Sequence, residues 1–114
     1  MDKVNRYRQI LREVLENYAA DRSGQAQPGD LETQLLFDLE HDHFQVLRVG
    51  WHGQKQVFSV VFHFDIKGGK IWAQRNVSDY DIIGDIEARG VPKEDIVLAF
   101  HAPEMRPFTE YAVA

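Results

Sequence analysis

The sequence predicts an α+β fold: a long N-terminal helix, a four-stranded antiparallel meander, a second helix and a final strand. Three observations carry this. Apolar residues recur at helical spacing up to residue 21, the period changes to two from residue 31, and the period-two segments are joined by very short connections. At 114 residues the chain supports one domain, taken here as 1–114. A domain of this size buries about 65% of its unfolded surface, enough for a core without metal or disulfide staples.

Residues 2–21 read as one amphipathic helix, with Val4, Tyr7, Leu11, Val14 and Tyr18 spaced alternately by three and four and Ile10 and Leu15 widening the stripe. Arg6, Arg8 and Arg12 alternate with Asn5, Gln9, Glu13 and Glu16, the pattern of a solvated surface and not of a DNA-reading face. "DRSGQAQPGD", residues 21–30, reads as a surface loop. The first strand follows, with Leu31, Thr33, Leu35, Phe37 and Leu39 on one face. "EHDH" turns the chain into a second strand, with Phe44, Val46 and Arg48 on one side and Leu47, Val49 and Trp51 on the other. After "HGQK", the third strand "QVFSVVFHFDI" places Phe58, Val60, Phe62, Phe64 and Ile66 on one face. "KGG" leads to the fourth, "KIWAQR", glycine supplying the positive φ of a hairpin turn.

Ser78, with Asp81 three residues on, signals a helix start; Ile82, Ile83 and Ile86 give it an apolar face, and Gly90 and Pro92 end it. "IVLAFH", residues 96–101, reads as the last strand. In the tail "APEMRPFTEYAVA", Phe108 and Tyr111 are expected to pack against something.

The opposite face of the third strand, Val57, Ser59, Val61 and His63, is too apolar for water. If both helices cover one side of the sheet, the other needs a second chain, most simply a homodimer. The alternative is that helix 2 or the tail folds across it.

Composition narrows the chemistry. The chain is 44% hydrophobic and 27% charged and has no cysteine, which removes disulfides, thiolate metal sites and cysteine nucleophiles. Its N-terminus lacks the apolar segment of a secretion signal, and no stretch approaches the ~18 apolar residues of a membrane span, so a cytoplasmic location is expected. A formal charge of −5 disfavours non-specific nucleic-acid binding, which lysine and arginine supply.

Among reactive groups, His41 and His43 have the spacing that points two side chains to one strand face, but three or four converging ligands are not evident, so no metal or other cofactor is expected. His63 and Asp65 share a strand face without a nearby nucleophile, and read as polar residues at a strand end. "KGGK" lacks the spacing of a phosphate loop and precedes a strand. The tryptophans and phenylalanines read as core rather than as a base-stacking platform, because Arg48 and Arg75 are isolated.

"NRYRQILREVLENYA", "ETQLLFDLEHDHFQVLRVGW", "FHFDIKGGKIWAQ" and "GVPKEDIVLAFHAPEMRPFTEYAVA" together resemble the XisI family, the fdxN element excision controlling factors of cyanobacteria, over nearly the whole chain. The departures lie in "DRSGQAQPGD" and "RNVSDYDIIGDIEA". The resemblance implies a non-enzymatic accessory factor in the control of programmed excision of a DNA element during heterocyst differentiation. The recombinase would be a separate protein, and the partner an XisH-type companion. It implies no catalytic residue, and since such families occur in many copies, this chain need not serve the fdxN element itself. Expected interface residues are Val57, Val61 and His63 on the third strand and Arg106, Phe108 and Tyr111 in the tail. The rival readings are a DNA-binding directionality factor and a metal-assisted hydrolase using His41, His43 or His63.

Overall fold

The computed structural model describes residues 2–23 and 30–114, so most of the loop expected at 21–30 lies outside the described residues. Helix α1 spans Lys3–Ser23 and is followed by strands β1 (Asp30–Asp38), β2 (His43–His52), β3 (Lys55–Lys67) and β4 (Lys70–Asn76). Helix α2 (Ile82–Ala88), a 3-10 turn and the two-residue strand β5 (Ile96–Val97) come next, and a second 3-10 segment covers Pro103–Phe108. The strands lie in the order β1-β2-β3-β4-β5. The first three pairings are antiparallel and β5 adds in parallel to β4, as a crossover through α2 requires.

Both helices pack on one face of the sheet. Tyr7, Ile10, Leu11, Val14, Leu15 and Tyr18 of α1 and Ile82, Ile83 and Ile86 of α2 share one core with Phe44, Val46, Phe62, Phe64, Ile66, Ile71 and Ala73. The β3–β4 turn uses Gly68 and Gly69, both at positive φ, the geometry of a tight hairpin that matches strand twist.

Several expectations are corrected. The first turn occupies residues 39–42, so His43 belongs to β2. Asp81, not Ser78, caps α2: its carboxylate accepts the Gly84 N–H at 3.0 Å. The last strand stops at Val97, and Leu98–His101 turns away with the His101 N–H on the Leu98 carbonyl.

The largest correction is in β3. Val46 faces Phe62 but Leu47 faces Val60, so Val61 is an extra residue and β3 bulges there. Beyond the bulge the alternation inverts. Phe62, Phe64 and Ile66 stay in the core, whereas Phe58 and Val60 pass to the side away from the helices. Val61 packs against the core, and Val57, paired with Gly50, lies on the helix side. The Val60 carbonyl freed by the bulge accepts the Arg75 Nε–H at 2.8 Å.

Candidate functional site

The sheet face away from the helices is the site that the fold leaves open. Cross-strand register defines it row by row: Asp38, His43, Asp65 and Trp72 in one; Leu36, Gln45, His63 and Arg75 in the next. Beyond the bulge come Gln34, Leu47 and Val60, then Glu32, Val49 and Phe58, then Trp51. Leu36, Trp51 and Phe58 are 61%, 48% and 68% exposed. These three large apolar side chains share one sheet face, with Leu47, Val49 and Val60 in the rows between them, and exposed apolar surface of this kind marks an interaction surface.

The tail closes only the β4 end of this face. Arg106 lies 5.8 Å from the Trp72 ring, and Lys67 stacks over the same ring at 4.1 Å. The Arg106 guanidinium donates to the backbone carbonyls of His101, Ala99 and Val113, at 3.1, 3.4 and 3.4 Å, and so pins the tail to itself. Tyr111 packs on the core and donates to Glu87 at 2.9 Å. Ala112 bridges Val97 and extends the sheet edge.

The expected interface residues thus separate. His63 is on the open face; Val57 and Val61 are on the helix side; Arg106 and Tyr111 are engaged within the chain. Phe108, expected to pack, is 83% exposed. The outward position of Phe58 was not legible, because a continuous apolar run such as "VFSVVF" carries no phase from which a bulge can be read.

The polar end of the face holds a compact cluster. Arg8 of α1 grips Asp42 through two hydrogen bonds, at 2.6 and 3.1 Å, and the Asp42 carbonyl accepts the Ile66 N–H at 3.2 Å. That fixes the turn, with Asp42 itself at φ 59, and hence the start of β2. His43 then stands directly across from Asp65. His43 Nδ1 lies 2.6 Å and His63 Nε2 2.7 Å from the same oxygen, Asp65 Oδ1. An ionised carboxylate only accepts, so both ring nitrogens facing it carry protons, and His63 Nδ1 is left to accept from the Gln45 amide at 2.9 Å.

The Asp65 hydrogen bond raises the His43 pKa above its ordinary value, and the charges of Asp65, Asp38 and Asp42 add to this. Burial works to raise the Asp65 pKa, but the hydrogen bonds from His43 and His63 outweigh it and leave the carboxyl below the usual range. His41, which shares a strand-face spacing with His43 in the sequence, lies outside this cluster: it sits in the turn, its Nδ1 2.8 Å from Asp38. The sequence pointed to the pairs 41/43 and 63/65; the fold brings together 43, 63 and 65.

Residues 1–113 match the family model described as XisI protein. Two solved structures are similar over nearly the full length. An XisI-like protein from Anabaena variabilis is 40% identical with a TM-score of 0.84, covering 99% of this chain and 100% of the other. The fdxN element excision controlling factor XisI from Anabaena variabilis is 31% identical with a TM-score of 0.83 and the same coverage. No curated protein matches.

Proposed function

The chain belongs to the XisI family, and from that membership we propose that it takes part in controlling the excision of a DNA element. It does so as a non-enzymatic accessory factor in the cytoplasm, through contact with an XisH-type companion. The observation that carries this reading is the open sheet face, where Leu36, Trp51 and Phe58 present apolar surface on a strand scaffold. A net charge of −5 favours a protein partner over the phosphate contacts of a DNA-binding factor. No helix among the described residues is long and apolar enough to cross a membrane.

A tagged pull-down from cyanobacterial lysate at physiological salt, with nuclease present, tests the reading. An XisH-type protein recovered near one-to-one supports it. Its absence, with the tagged chain folded, contradicts it. Recovery of untagged copies of this chain alone would point instead to a homodimer across the same face.

A further inference from the structure

We propose that His43, His63 and Asp65 form a binding site for a divalent transition-metal ion of the zinc class on the open face of the sheet. Two imidazoles and one carboxylate are a donor set that suits zinc, with a fourth position left for water. The donor atoms of the three residues lie within 4.8 Å of one another. Donors around a tetrahedral zinc with bonds of 2.0–2.1 Å stand about 3.3 Å apart. Small side-chain rotations convert one arrangement into the other. On binding, each ring takes its other neutral tautomer, His43 with the proton on Nε2 and His63 with it on Nδ1, so the ion occupies the place of the two ring hydrogens that now meet at Asp65 Oδ1.

The backbone already holds the donors. His43 and Asp65 are direct cross-strand partners, and His63 is one same-face step from Asp65 along β3. Neither β2 nor β3 is an edge strand of the sheet, so the framework is rigid where the ligands attach. Gln45 supplies an orienting partner of the kind metal-bound histidines use. Its amide, 2.9 Å from His63 Nδ1, can turn to present its carbonyl to an Nδ1–H, which leaves Nε2 bare for the metal. His43 and His63 line a pocket of about 270 Å³, completed by Leu36, Asp38 and Gln45, with room for water at the unfilled position. Asp38, which also walls the pocket, adds negative charge near His43, which favours a cation.

The test is calorimetric titration of the chelator-treated protein with zinc chloride, alongside histidine ring spectra by NMR. One equivalent binds at micromolar zinc, and the His43 and His63 ring resonances move while those of His41, His52 and His101 stay. His43→Ala abolishes the uptake, His41→Ala leaves it unchanged, and Gln45→Leu weakens it about 10- to 100-fold. Two results overturn the site: no saturable uptake at micromolar zinc, or uptake with shifts spread over all five histidines. The NMR readout uses the unaltered chain, so the proposal stays falsifiable if a variant fails to fold.

Discussion

Tyr7 joins helix α1 to the 3-10 turn that precedes β5. It is buried in the core at the first turns of α1, and its hydroxyl donates to Asp95, which also pairs with Lys3 at 3.2 Å. Burial is the larger reason its pKa is pushed up to about 12, and the Asp95 hydrogen bond and charge add to it. The folded pKa is therefore above the unfolded value of about 10. The stabilisation is complete below about pH 10 and is lost as pH rises through about 12. Tyr7→Phe should cost about 1.5–3 kcal/mol, the scale of a hydrogen bond to a charged partner, in urea unfolding at neutral pH. The variant should also lack Tyr7's share of the alkaline loss of stability. Asp95 has the opposite sign. Burial works to raise its pKa, but hydrogen bonds from Tyr7 and Lys3 hold the carboxyl below its ordinary value. Its contribution is present above an unfolded pKa of about 3.9 and is lost as pH falls through the lower folded value. Asp95→Asn should flatten the acid limb of the stability profile in that window.

Among the elements, the β3 bulge decides which side chains face outward. The chain lacks cysteine, so single cysteines report on this directly. A thiol in Phe58→Cys should react with a labelling reagent at nearly the rate of an unfolded chain, and one in Val61→Cys several-fold more slowly. The reverse order, Val61→Cys reacting faster than Phe58→Cys, would mean that β3 alternates without a break. The β3–β4 turn is a second test, since Gly68 stands at φ 58. Gly68→Ala has open space for its methyl group, so the cost of about 1–2 kcal/mol is backbone strain alone, read from the unfolding midpoint. Much of this level was legible in the sequence. The helix stripe from Val4 to Tyr18 and the hairpin at "KGG" are local signals, and local signals survive folding. Val61 was not legible, because either face of an apolar run can be buried and a bulge changes phase without changing composition. The grouping of His43 with His63 and Asp65 was not legible either. It depends on a cross-strand pairing 22 residues apart in sequence, together with a turn boundary that placed His43 in the strand rather than in "EHDH". Family resemblance supplied the excision context, which no spacing of residues contains.

At the scale of the whole molecule, two helices and one core lie on one side of a five-stranded sheet, and an open face lies on the other. Phe58 and Trp51 on that face contribute little to folding, since they keep about half or more of their surface in water. Phe58→Asp and Trp51→Asp should each change stability by no more than about 1 kcal/mol. The same substitutions put a charge at the centre of any apolar contact made there, where desolvation without a partner is costly. They therefore separate folding from association. The most direct measurement is light scattering on size-exclusion fractions of this chain mixed with its purified XisH-type companion, comparing the unaltered protein with Phe58→Asp. A one-to-one complex that forms with the unaltered chain and is lost with a folded Phe58→Asp variant is the predicted result. A complex that forms equally with both, or with neither, would contradict the open face as the surface through which this protein acts.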